Sequence, residues 1–239
     1  MNGIIDIGNT SVKWAVFDGE LLIESGRMPY GEWKSVQKAH ARYKPDNWFM
    51  SSVQTLPVTN ELGFEYEVFD LNTALPVTIR YTTPSTLGKD RIAAICGARH
   101  VFPASACLVI DAGSCITFDI MDEKGNYFGG SISPGIEMRL KAMHTYTEKL
   151  PLLSWEEPDG FIGDTTRSSM LQGVKQGVLG ETLYQISLYE EKFPGLQVLI
   201  TGGDASFFEK NLKKGIFAAP NLVLIGLNTI LQYKQSLNA

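Results

Sequence analysis

The chain has 239 residues, 44% of them hydrophobic, enough to build a sizeable core in one large domain or two small ones. A formal charge of −5 and a pI near 5.3 exclude the clustered Lys and Arg that a nucleic-acid partner requires, and leave room for a locally basic cleft for a small anion. Cys96, Cys107 and Cys115 lack any paired-ligand spacing, which excludes a disulfide framework and a zinc site and points to the reducing cytosol.

The chain enters a strand almost at once, without a basic region and apolar run before it. No apolar stretch reaches membrane-spanning length, so the reading is a soluble, unexported, cytoplasmic protein without a membrane partner. Residues 4–7 and 12–18 predict a β-hairpin: a β-branched run ends in Asp6, and a second alternating run follows Gly8-Asn9-Thr10-Ser11. Such a turn presents backbone N–H groups that can cradle phosphate. Gly8 allows close approach, Thr10 and Ser11 offer hydroxyls, Lys13 a point charge, and Asp6 an oxygen ligand for a metal. Taken alone, the stretch is equally an ordinary hairpin with a polar turn.

Residues 33–42 predict a helix ending before Pro45; residues 48–53, 64–69 and 77–81 predict strands, the first buried and the second alternating. A Pro- and Gly-punctuated loop, residues 81–91, leads into an apolar helix over 92–98. Asp90 there is favoured by the helix dipole and needs no other purpose. Arg91 offers a fork for a substrate carboxylate, with Asp90 beside it to take a proton from a substrate hydroxyl.

The second half opens near Pro103 and repeats the first hairpin: Val109-Ile110-Asp111-Ala112-Gly113-Ser114 places Asp111 and Gly113 where Asp6 and Gly8 stand. Its hairpin turns at 122–126. Residues 129–135, rich in Gly, suggest backbone packed close to a ligand or an irregular turn. A helix over 136–146 follows, ended by Leu150-Pro151-Leu152; His144 on it, like His40 and His100, is read as structural. Thr165 is a natural N-cap for a long helix whose apolar face carries Met170, Leu171, Val174, Val178, Leu179, Leu183 and Ile186. Gly173, Gly177 and Gly180 on that helix call for close packing, against the sheet or a second subunit. A strand over 198–201 runs into Gly202-Gly203; residues 222–225 predict a last strand, Gly226 a turn, and 227–235 a closing helix.

Two duplicated domains that each offer a phosphate loop, with a Gly-Gly turn for a nucleoside, resemble the acetate-kinase, sugar-kinase, Hsp70 and actin superfamily. The resemblance implies an α/β fold of duplicated ribonuclease-H-like (actin-like ATPase) domains. It implies mixed sheets flanked by helices and a cleft between domains, divided here as 1–103 and 104–239.

The match becomes specific to the type III pantothenate kinases, which the chain resembles almost end to end. Asp6-Ile7-Gly8-Asn9-Thr10 is similar to the first phosphate motif, Gly88-Lys89-Asp90-Arg91 to the Gly-x-Asp-Arg substrate motif, and Asp111-Ala112-Gly113-Ser114 to the second phosphate motif. Gly129–Gly135, Leu150-Pro151 and Thr201-Gly202-Gly203 also match. The resemblance implies ATP-dependent phosphorylation of pantothenate to 4'-phosphopantothenate, the first step of coenzyme A synthesis. It makes Asp90 the proton acceptor and assigns ATP contacts to Asp6, Ile7, Gly8, Asn9, Thr10, Ser11, Val12, Lys13 and Ser114. Substrate contacts fall to Tyr81, Gly88, Lys89, Asp90, Arg91 and Thr166. Asp111 becomes the ligand of a monovalent cation, K+ or NH4+, and Asp6 a ligand for a divalent ion, Mg2+. The family's dimers imply a homodimer in which Thr166 reaches a pantothenate pocket formed by the other subunit's substrate loop. Ser114 replaces the usual Thr and keeps its hydroxyl; Asp164-Thr165-Thr166 stands where Lys-Asn-Thr is common, which removes a positive charge. Two rival readings are a kinase of another small hydroxylated metabolite and a non-catalytic regulator that retains the fold.

Overall fold

The computed structural model describes residues 1–54, 59–70, 72–212 and 215–237. Contacts divide the chain into two compact units. The first holds Met1–Ala104, Glu123–Tyr127 and the stretch from Asn221 onward; the second holds Ser105–Asp122 and Phe128–Pro220.

In the first unit, β1 (Asn2–Ile7) is central to its sheet: β2 (Val12–Asp18) pairs with it antiparallel, and β3 (Leu21–Met28) pairs antiparallel with β2. α1 (Lys34–Tyr43) crosses over so that β4 (Asn47–Ser52) lies parallel to β1; α2 (Thr59–Leu62) and β5 (Glu67–Val68) complete the order β3-β2-β1-β4-β5. Every residue of β1 but half-buried Asp6 is buried, because both faces of the strand are covered. Ile5 and Ile7 point into a core with Trp14, Val16, Trp33 and Val36, and Ile4 alternates to the opposite face. β6 (Thr78–Ile79), a 3-10 turn at Pro84–Thr86 and α3 (Lys89–Val101) follow.

The second unit repeats the arrangement. β7 (Cys107–Ala112) pairs antiparallel with β8 (Cys115–Met121), just as β1 does with β2. After β9 (Asn126–Pro134), α4 (Ile136–Thr145) and α5 (Thr166–Lys192), β10 (Gln197–Thr201) lies parallel to β7 as β4 lies parallel to β1. α6 (Ala205–Asn211) and β11 (Ile216–Ala218) close the sheet order β11-β10-β7-β8-β9-β6, in which β6 joins the first two residues of β9 within the first unit. Leu108, Ile110, Ile116, Phe118 and Ile200 meet Leu140, Leu171, Val174 and Val178 in its core.

Several expectations change. The strand, turn and helix expected over 222–235 are one helix, α7 (Leu222–Leu237), and β11 was not foreseen. The run Leu222–Leu231 is apolar because α7 is buried on most sides, a pattern that period alone does not separate from a buried strand. Gly226 is no turn: a Cβ there would lie 1.7 Å from the Ala93 carbonyl, and one at Gly97 would lie 2.4 Å from the Leu222 carbonyl, so the two glycines let α3 and α7 cross backbone to backbone. The Asn228 amide accepts from Asn2 Nδ2 and donates to the Gly19 carbonyl, both at 3.0 Å, which ties α7 into the first unit although its place in the sequence suggests the second.

The strands expected over 64–69 and 77–81 shrink to two residues each, because β5 and β6 are paired only at Glu67–Val68 and Thr78–Ile79. Residues 129–134 belong to β9 rather than to an irregular turn; Gly130 would place a Cβ 1.7 Å from the Phe118 carbonyl, so this glycine answers a neighbouring strand. On α5, Leu183 is 46% exposed, and Gly173 and Gly180 have nothing among the described residues within 4 Å of an added Cβ, so the sheet does not account for these glycines.

Candidate functional site

The first turn, Gly8–Ser11, is built by register. Ile7 and Val12 are buried opposite each other, which fixes four residues between the strands, and the Gly8 N–H donates to the Ser11 carbonyl at 3.1 Å. Asn9 and Thr10 are exposed at its tip. Asp6, half-buried, stands in register between Lys13 on β2 and Ser51 on β4. Two side chains that the sequence did not single out grip this turn: Gln54 Nε2 donates to the Gly8 carbonyl at 2.6 Å and to the Asn9 carbonyl at 3.2 Å, and Arg27 Nε donates to Ser11 Oγ at 2.8 Å. No local motif marks either residue; only strand pairing delivers them.

Also in the first unit, the loop over residues 81–88 ends at the N-terminus of α3. Buried Leu87 anchors it, and Gly88 precedes the helix. Asp90 Oδ1 accepts from the Arg91 backbone N–H at 2.9 Å and folds back over Gly88, where a Cβ would lie 2.4 Å away. Arg91 is buried to 8% exposure, its guanidinium carbon 5.9 Å from the centroid of the Tyr81 ring. Tyr81, Gly88, Asp90 and Arg91 are therefore gathered at one helix end, and Lys89 opens the helix beside them. This is an arrangement suited to an anion and a hydroxyl.

In the second unit, the turn between β7 and β8 has three residues, one fewer than the first: Ala112 faces Ile116. The Gly113 N–H donates to the Cys115 carbonyl, the Gly135 N–H to the Ser114 carbonyl at 3.1 Å, and the Asp204 N–H to the Ala112 carbonyl at 2.9 Å. Gly202, at φ +98°, brings the Gly202-Gly203 turn onto Asp111: a Cβ there would lie 2.2 Å from the Ala112 carbonyl and 2.5 Å from Asp111 Oδ1. Asp111 is flanked in register by Thr117 on β8 and Thr201 on β10, whose buried hydroxyls have no hydrogen-bond partner among the described residues. Exposed Ser114 borders a cavity of about 320 Å³ lined also by Glu137, Met138, Lys141 and Leu152–Ser154. Burial and the Glu137 carboxylate push the Asp204 carboxyl above its ordinary range.

Thr166 begins α5. Thr165 and Ser168 form the capping box, and Asp164 accepts from Ser168 Oγ at 3.1 Å, so the acid that replaces the common Lys serves the helix N-terminus. Upstream, Glu157 is pinned by Lys175 at 2.9 Å and Lys210 at 2.5 Å; the hydrogen bonds from Lys210 and Lys175 hold its carboxyl down to about 2.

Two of the three histidines are held structurally: His40 Nδ1 accepts from Trp48 Nε1 at 3.0 Å, and His144 Nδ1 lies 2.8 Å from the Leu150 carbonyl. A larger cavity, about 920 Å³, opens between β3 and α1 around Arg27, Tyr30, Trp33 and Lys38, and shares only Arg27 with the first turn. Among the described residues, no helix is long and apolar enough to cross a membrane.

Residues 4–187 match the family model for type III pantothenate kinase. A protein named type III pantothenate kinase from Cytophaga hutchinsonii is 43% identical over 235 residues, covering 98% of this chain and 99% of that one. Among solved structures, a Campylobacter jejuni protein assigned to the Baf family of transcriptional activators superposes with a TM-score of 0.63 at 20% identity, over 98% of this chain and 99% of its own. The ADPNP-bound activator of 2-hydroxyisocaproyl-CoA dehydratase from Clostridium difficile gives 0.56 at 12%, over 99% and 97%. At such identities these likenesses show the fold, which is the actin-like ATPase architecture of mixed sheets flanked by helices.

Proposed function

This chain belongs to the type III pantothenate kinase family, and we propose that it transfers the γ-phosphoryl group of ATP to the hydroxyl of pantothenate. The observation that carries the reading is the gathering of Tyr81, Asp90 and buried Arg91 at the N-terminus of α3. Arg91 pairs with the pantothenate carboxylate. Asp90, with one oxygen engaged by the Arg91 N–H, keeps lone pairs to orient the hydroxyl and take its proton. Phosphoryl transfer passes through a loose transition state, so alignment and charge neutralisation are what the protein must chiefly supply. In the first unit Gly8–Ser11 and Lys13 hold phosphate oxygens; in the second, Ser114 does so.

Asp111 with Thr117 and Thr201 suits a monovalent cation, because two buried hydroxyl oxygens without hydrogen-bond partners among the described residues stand beside a carboxylate and all three are hard donors. Such an ion supplies charge against the triphosphate. Asp6 offers the single carboxylate that a hydrated Mg2+ needs when phosphates provide the rest. A coupled ATP-consumption assay with pantothenate against a panel of sugars and short acids tests the activity. Turnover on a sugar in preference to pantothenate, or on nothing, overturns it.

The working unit is a cytoplasmic homodimer. The face of α5 where Gly173 and Gly180 stand open among the described residues, followed by exposed Leu183, Tyr184 and Leu188, supports close approach by a second copy. Co-expressed Asp90→Asn and Thr166→Trp chains then regain activity that neither homodimer has. A fully active monomer by sedimentation refutes the dimer.

A further inference from the structure

We infer that Gln54 is the positioning residue that makes the first turn an anion receptor, an inference that rests on the reading of this turn as a phosphate site. β4 pairs with β1 in parallel, with Ile7 opposite Ser52, so the two strands end at the same level and the residues after Ser52 run beside the turn. The Val53 N–H extends the ladder to the Ile7 carbonyl at 3.0 Å. Ser52 Oγ then locks the next backbone, accepting from the Gln54 N–H at 3.0 Å and donating to the Gln54 carbonyl at 2.8 Å. The side chain of Gln54 is thereby delivered to the turn, where its amide nitrogen donates to two successive carbonyls, Gly8 at 2.6 Å and Asn9 at 3.2 Å.

The consequence follows from peptide planarity. No peptide bond among the described residues is cis, and in a trans unit the C=O and the following N–H point in opposite directions. With the Gly8 and Asn9 carbonyls turned toward Gln54, the N–H groups of Asn9 and Thr10 face together to the other side. Two successive amides aimed alike form the kind of nest that binds an anionic oxygen. Both carbonyls compete with phosphate if they rotate to the front, where they repel it. An amide side chain suits this role because it carries two donors, whereas a carboxylate of the same shape carries none.

Three variants test this by calorimetric titration with a non-hydrolysable ATP analogue, alongside KM for ATP, KM for pantothenate and the melting temperature. Gln54→Met keeps length and loses both donors. It lowers analogue affinity and raises KM for ATP roughly tenfold, as expected for two lost neutral hydrogen bonds, while KM for pantothenate and kcat stay within about twofold. Gln54→Glu turns the donors into acceptors and weakens the analogue further. Thr10→Asp, a charge at the exposed tip, repels the analogue wherever Gln54 stands. If Thr10→Asp binds like the wild type, the turn does not hold phosphate and the parent reading falls. If Thr10→Asp fails to bind while both Gln54 variants bind normally, the turn holds phosphate without Gln54 and the inference is overturned. It is also overturned if the Gln54 variants weaken ATP and pantothenate together and lower the melting temperature in proportion, because the side chain is then only structural.

Discussion

The two turns that end β1 and β7 come from the same strand pattern and occupy equivalent places in their sheets, yet they are held in different ways. At Gly8–Ser11 the carbonyls and the hydroxyl end are gripped by side chains, Gln54 and Arg27. At Gly113–Cys115 the corresponding hydrogen bonds come from backbone N–H groups, from Gly135 to the Ser114 carbonyl and from Asp204 to the Ala112 carbonyl. A turn braced by side chains yields to single substitutions of those side chains. A turn braced by backbone has no such side chain to lose, and is vulnerable wherever a Cβ would push the bracing strand away. Gly8 in the first turn and Gly135, which braces the second, reflect this: a Cβ at Gly8 would meet the Ser11 carbonyl at 3.3 Å, a tight contact, whereas one at Gly135 would fall 2.1 Å from the Gly113 carbonyl, which is impossible without moving the chain.

The largest effect expected from this difference is at Gly135. Gly135→Ala should cost on the order of 3 kcal/mol or prevent folding, while Gly8→Ala should cost about 1 kcal/mol or less, both read by chemical denaturation. Equal costs at the two positions would erase the contrast. Asp90→Asn lies in neither turn and supplies the reference for chemistry without nucleotide binding. It should fold normally, keep KM for ATP, and lose about 10²–10³-fold in kcat, the lower part of the range for a general base because the transition state is loose. Near wild-type turnover would remove Asp90 from the proton-acceptor role.

A smaller effect separates the turns by ion. Exchange of K+ for a bulky organic cation should depress turnover, and Thr201→Val should blunt the response to added K+. The same variant should raise stability by about 1 kcal/mol, since it removes a buried hydroxyl that has no partner among the described residues. A variant that is destabilised and still activated by K+ would show the hydroxyl to be satisfied some other way. The smallest effect concerns Asp204, which braces the second turn through its backbone. Its carboxyl is raised by burial and by Glu137, so its contribution to stability is fully present below the unfolded carboxylate pKa and is lost as pH rises through the folded value. Asp204→Asn keeps the N–H. It should therefore gain a few tenths of a kcal/mol at neutral pH and nothing at pH 3, measured by thermal melts across that window. A loss at neutral pH would reverse the assigned sign.

The local frame of the candidate site was legible in the order of residues, because the turns and helix cap that carry it lie in short contiguous stretches. Asp6 and Gly8 recur as Asp111 and Gly113, and each pair sits at a strand end because the β-branched run before it is long enough to pair and the glycine after it stops the strand. The Thr165 cap of α5 was equally local, since a helix start is decided by its own first turn, whereas α3, expected from Ile92, begins three residues earlier at Lys89.

What local pattern does not carry is which distant group meets a turn. Gln54 reaches Gly8 across a parallel pairing set by α1, Gly135 reaches Ser114 after the whole of β8 and β9, and Gly226 lies inside a helix because α3 crosses it there. Likewise the face of α5 that carries Leu183 is left exposed by the path of its sheet, a matter its apolar period could not report. The sequence alone determined the ends of β1 and β7 and the cap of α5, where neighbours in the chain satisfy one another's backbone groups. Only the tertiary structure decided how those ends are braced, because a turn's carbonyls take whichever donor the packed strands bring within about 3 Å.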